Sequence, residues 1–91
     1  MITAIVFVEA EVARIPEIAQ EIADIDGVSE VYSVTGKIDL IALVRVPTVD
    51  AVAATVADKL NRVAGVLSTE THIAFQAYSK LDLEAAFSIG G

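Results

Sequence analysis

The chain has no cysteine, no tryptophan, one histidine and two prolines. Without cysteine there is no disulfide staple and no thiolate nucleophile. The lone imidazole, His72, has no sulfur partner, which excludes a Cys/His zinc site within one chain. Basic residues are scarce as well: six Lys and Arg stand against thirteen Asp and Glu, a net charge of -7. That balance repels a phosphate backbone. The six cations, Arg14, Lys37, Arg45, Lys59, Arg62 and Lys80, are scattered singly, so no basic patch with interleaved aromatics forms and direct nucleic-acid binding is not expected. No apolar run approaches the ~20 residues of a membrane-spanning helix, and no basic segment precedes an apolar stretch at the start. The expectation is a soluble, cytoplasmic protein with no membrane partner. Gly-x-Ser-x-Gly, dinucleotide-binding and P-loop patterns are also missing, so nothing points to a hydrolase or a nucleotide site.

What is present is aliphatic. Of the 91 residues 55% are hydrophobic, and so short a chain has too much surface per unit volume to hide them all alone. One domain over residues 1–91 is expected, with a core at 2–80, a tail at 81–91, and a second copy covering part of the apolar surface.

Residues 2 to 9 are β-branched and aromatic, and apolar on both faces: Ile2, Ala4, Val6 and Val8 on one, Ile5 and Phe7 on the other. They read as a strand buried from both sides. Ile15, Ile18, Ala19, Ile22 and Ile25 recur at helical steps, with Pro16 and Glu17 in the first turn and Gly27 as the stop, which predicts a helix over about 15–24. A second helix is predicted over about 49–62, with Thr48 as N-cap, the stripe Val49, Val52, Ala53, Val56, Leu60 and Val63, and Gly65 after it. Strands are predicted at 28–35, 38–46 and 66 to about 78, with a short helical turn at 81–87. Strand, helix, Gly-Val and strand thus occur twice. The order β-α-β-β-α-β is ferredoxin-like: an α+β fold with a four-stranded antiparallel sheet and both helices on one face. Its other face is apolar, and pairing of two sheets is the expected remedy.

The candidate chemistry gathers at the middle hairpin. Gly36-Lys37 between two β-prone runs predicts a two-residue II′ turn that projects Thr35 and Asp39 beside bare backbone. Asp39, alone in an aliphatic strand, is expected to accept hydrogen bonds from turn N–H groups, to meet a ligand ammonium, or both. Ser68-Thr69-Glu70-Thr71 opens the last strand with alternating hydroxyls, which are either β-formers or the lining of a polar seam beside the hairpin. His72 reads as a satisfied or partly exposed strand histidine, with a general base or haem ligand as the sharper option. No catalytic residue, metal or cofactor is assigned.

Asp26-Gly27-Val28, then Val31-Tyr32-Ser33-Val34-Thr35-Gly36 with Asp39, then Ala64-Gly65-Val66 and Ser68-Thr69-Glu70-Thr71, with Lys80 near the end, resembles the effector-binding (RAM) domain of the Lrp/AsnC transcriptional regulators. The resemblance runs from Ile2 to Lys80. It implies sheet-to-sheet homodimers, closed rings such as octamers, and an amino acid or similar small effector bound where dimers meet. Carried over, Thr35, Gly36 and Asp39 are the hairpin contacts, with Val34 and Lys37 beside them and Thr69 and Thr71 as last-strand hydroxyls. Regulators of this type carry an N-terminal helix-turn-helix domain, whereas this sequence opens in the first effector-domain strand. It therefore resembles a stand-alone form that senses an amino acid or co-assembles with a full-length regulator. The alternative is a small dimeric α+β barrel enzyme, of monooxygenase or haem-handling type, with His72 inside the barrel.

Overall fold

The computed structural model describes residues 1–80. β1 (Ile2–Ala10) leads through a short 3-10 turn (Val12–Arg14) into α1 (Ile15–Ala23), followed by β2 (Val28–Ser33) and β3 (Leu40–Val46). α2 (Val49–Ala53) then runs directly into a π-helical segment (Ala54–Lys59) and a 3-10 turn (Leu60–Arg62) before β4 (Val66–Ala74). The four strands form one antiparallel sheet in the order β2-β3-β1-β4. This is the ferredoxin-like arrangement the pattern predicts, with β2 and β4 as its edges.

Period-two alternation explains the core. Ala4, Val6 and Val8 of β1 and Leu40, Ala42 and Val44 of β3 are fully buried against Ile18 and Ile22 of α1 and Val52, Val56 and Leu60 of the second helical stretch. Gly27 makes the close approach between layers possible. It sits at φ +98°, and a Cβ there would lie 2.9 Å from Val46 Cγ1 and 3.1 Å from Thr55 Oγ1. Its carbonyl also accepts from Arg45 N–H at 2.8 Å, tying the end of α1 to β3.

Several boundaries differ from the sequence reading. The second helix covers the expected span and is capped by Thr48, whose Oγ1 accepts from Ala51 N–H at 3.0 Å. Its interior is π-helical, however, and the stripe shifts: Thr55 is buried, its hydroxyl donating to Ala51 O at 2.8 Å, while Val49 and Ala53 are exposed. Thr55 stands three residues after Val52 and beside Val56, on the same inward face, whereas Val49 and Ala53 lie in the α-helical turn that precedes the π-helical segment. β4 stops at Ala74, so the expected strand to Tyr78 is four residues too long, and Phe75 and Tyr78 project into solvent. The turn proposed for 81–87 lies outside the described residues.

The hairpin differs most. β2 ends at Ser33 and β3 starts at Leu40, the two residues facing each other in the ladder. The two-residue turn is therefore a six-residue connection, closed by Val34 N–H donating to Asp39 O at 3.1 Å. Gly36 does take the positive φ, +109°.

Candidate ligand-binding site

Alternation places Thr3, Ile5, Phe7 and Glu9 of β1 on the face away from the helices. Ile41, Leu43 and Arg45 of β3 and Ser68, Glu70, His72 and Ala74 of β4 lie on the same face, as do Glu30 and Tyr32 of β2. Among the described residues no element covers this face. Ile5, Phe7, Ile41 and Leu43 are only half-buried, and Tyr32 is exposed.

At one end of that face the ladders on both sides of β1 break at the same level. On the β4 side the register shifts between Glu9 and Ala10, so that Ser68 pairs with Glu9 and Val66 with Ala10, leaving Leu67 as the extra residue. On the β3 side, extending the Val8↔Leu40 register by two more pairs would set Ala10 opposite Ile38. Instead, Ala10 N–H donates to Asp39 Oδ2 at 2.9 Å, and Asp39 N–H donates to Val8 O at 3.0 Å. The carboxylate takes the donor that the Ile38 carbonyl would satisfy in a continued ladder, and Ile38 is released from the strand. In a regular strand Ile38 would share the face of Leu40, toward the helices. Here it lines a groove with Phe7, Glu9, Ser68, Thr69 and Glu70, a space of about 190 Å³.

The predicted residues divide accordingly. Thr35, Gly36 and Lys37 form the exposed tip of the connection, with Val34 half-buried at its base. Nothing lies within 4 Å of where a Gly36 Cβ would stand, so the tip is open. Asp39 accepts a backbone hydrogen bond, as one of its two readings required, but the donor is the end of β1 and not the turn. Thr69 and Thr71 do share a face of β4, the helix side. Thr69 Oγ1 donates to Asn61 Oδ1 at 2.7 Å and also edges the hairpin groove. Thr71 stands apart from that groove, in an apolar trough of about 320 Å³ with Ile73 and Val49, Val52, Ala53, Val56 and Ala57.

Ile38, Phe7, Glu9, Ser68 and Glu70 line the groove and were not among the predicted site residues. Ser68 and Glu70 belong to the run Ser68-Thr69-Glu70-Thr71 that the sequence singles out, but nothing in the sequence marks Ile38, Phe7 or Glu9, because two local register breaks bring them together. His72 is a half-exposed strand histidine on the open face: its Nε2 lies 2.5 Å from Glu70 Oε2, and its ring sits 5.1 Å from that of Phe7 at 54°. It lines neither the groove nor the trough. The other polar pair on this face joins Tyr32 and Glu30. The hydrogen bond to the Glu30 carboxylate, with its negative charge close by, raises the Tyr32 phenol above its ordinary pKa.

Comparison with known proteins gives this geometry a context. The family described as Lrp/AsnC ligand binding domain matches residues 3–82. The uncharacterized HTH-type transcriptional regulator PH1916 of Pyrococcus horikoshii is 41% identical over 59 residues, which are 65% of this chain and 39% of that protein. The chain thus spans about two-fifths of the length of that regulator. The crystal structure of TTHA0845 from Thermus thermophilus superimposes with a TM-score of 0.82 at 41% identity, covering 88% of this chain and 100% of that one. The transcriptional regulator NMB0573 of Neisseria meningitidis, solved as a complex with L-Met, shares the fold with a TM-score of 0.76 at 19% identity, over 86% of this chain and 52% of that one. With the match extending over nearly its whole length, the chain belongs to the Lrp/AsnC ligand-binding domain family.

Proposed function

We propose that this domain is a non-enzymatic sensor and assembly module: it binds a free amino acid or a similar small effector at the hairpin groove and couples binding to its oligomeric state. The observation that carries the reading is the groove itself, formed where the hairpin connection leaves the sheet at the end of a bare, half-apolar face. The family supports it, and so does the L-Met complex of a regulator with the same fold. Homodimers form by pairing of the open sheet faces, and dimers join into a ring such as an octamer at the hairpin ends. Val34, Thr35, Gly36, Lys37 and Asp39 then stand at the seam between dimers, with Thr69 at the groove edge and Thr71 on the helix side of β4.

In such an assembly each chain supplies part of the site. An effector that needs both parts binds only the assembled form, and it shifts the equilibrium by its difference in affinity for the two forms. The net charge of -7 gives the domain no role of its own on DNA. A full-length regulator of the family is the further partner through which an effector signal would reach a promoter. Native mass spectrometry of the protein with each of the twenty amino acids tests the reading. Binding accompanied by a change in subunit number is expected, whereas an amino acid that binds and leaves the mass distribution unchanged refutes the coupling.

The enzyme alternative places His72 inside a barrel between paired sheets. His72 does stand on the open face with Glu70 as a carboxylate partner, but it lines neither the groove nor the trough, and the relatives described above as regulators favour sensing.

A further inference from the structure

We infer a division of labour within the hairpin: Asp39 is a positioning residue that holds the connection in place without touching the ligand, and Ile38 is the wall that selects the ligand by size. This rests on the sensor reading above and assigns roles within the same site.

Three observations lead to it. The Asp39 carboxylate is engaged by the chain itself, with Oδ2 2.9 Å from Ala10 N while the Asp39 N–H is held by Val8 O at 3.0 Å. Both bonds fasten the connection to β1 at the point where the β1–β3 ladder ends. Because Oδ2 replaces the Ile38 carbonyl as the acceptor for Ala10, Ile38 is free to leave the strand, and its side chain lines the open-face groove and not the helix-facing core. Within the groove Ile38 and Phe7 are the two apolar residues, against Glu9, Ser68, Thr69 and Glu70. Phe7 is fixed in the middle of β1 between two neighbouring strands, so it forms a floor common to any occupant. Ile38 sits on a connection, where a change of side chain alters the groove without disturbing a ladder. A small, partly apolar groove discriminates by fit, and one methylene gained or lost there changes affinity by roughly tenfold or more.

The test uses the full chain, Asp39→Asn, Asp39→Ala, Ile38→Ala and Ile38→Phe, with L-alanine, L-methionine and L-phenylalanine as probes. An amide oxygen still accepts from Ala10 N–H but carries no charge, so Asp39→Asn separates positioning from contact with a ligand ammonium. Asp39→Ala is expected to speed amide exchange at Ala10 by about tenfold and to weaken all three probes together. Asp39→Asn is expected to restore most of the exchange protection and most of the binding. Ile38→Ala is expected to shift the L-phenylalanine to L-alanine affinity ratio by about tenfold toward the larger probe, and Ile38→Phe to shift it the opposite way. Loss of binding in Asp39→Asn with Ala10 still protected would make Asp39 a ligand contact and overturn its assignment. An unchanged order of affinities in both Ile38 variants would overturn the other. If the wild-type protein binds none of these probes and none of the other seventeen amino acids, the sensor reading fails and the selector role falls with it, but the exchange comparison at Ala10 still decides whether Asp39 positions the connection.

Discussion

The two faces of the sheet are built from the same strands, yet among the described residues only one of them is covered. On the helix side Ala4, Val6, Val8, Leu40, Ala42 and Val44 are at 0% exposure. On the other side Ile5, Phe7, Ile41 and Leu43 are half-covered and flanked by Glu30, Tyr32, Arg45, Glu70 and His72. The closed face gains its stability from burial in the monomer. The open face offers an interior only if a second surface meets it. Its polar rim follows from strand geometry: residues two apart on an edge strand share a face, and the Glu30–Tyr32 and Glu70–His72 pairs therefore form along β2 and β4.

The contrast can be broken most forcefully on the closed side. Ile18→Ala removes a fully buried side chain from between α1 and the sheet and should cost about 2–5 kcal/mol, read as a fall in the urea midpoint. On the open face, Phe7→Asp should leave more of the monomer's stability intact but weaken self-association by roughly tenfold or more, the cost of losing a central interface residue. Sedimentation at several concentrations measures this, and a wild-type protein that sediments as a monomer throughout would remove the need for a covered face.

Two glycines sharpen the comparison at smaller amplitude. Gly27→Ala meets both a positive φ and the Val46 and Thr55 side chains and should cost about 2 kcal/mol or more, the backbone alone supplying about 1–2. Gly36→Ala meets only the backbone penalty, because its surroundings are open, and should cost less in the same denaturation series. The smallest effect concerns the open-face rim. With Tyr78→Phe as background, Glu30→Gln should move the Tyr32 phenol titration to lower pH, since the carboxylate that holds it above its ordinary value is gone. Ultraviolet difference absorbance reads the shift, and an unmoved titration would mean that the pair does not persist in solution.

Much of the fold was legible from single residues. The isoleucine stripe of α1, Thr48 as a cap and the glycines that close both helical stretches each correspond to a local rule that the structure obeys. The π-helical interior of the second helix was not legible, because Ala54, Thr55 and Ala57 suit an α-helix equally well, and packing of Thr55 beside Gly27 accompanies the wider turn. At the hairpin, Gly36 and Asp39 stand out in the sequence. Ile38 does not, since its neighbours Leu40 and Ala42 alternate as though it faced the helices with them.

Hydrophobic periodicity and the turn residues determined the order of elements and the presence of apolar side chains on both faces of β1, because those properties depend on neighbours three or four positions away at most. The tertiary structure alone decided which face the helices cover, where β3 ends and where Ile38 points. Each of these depends on a contact between distant segments, above all the Ala10 amide meeting the Asp39 carboxylate twenty-nine positions along the chain, and no local pattern encodes which strand end will be left with a donor to satisfy.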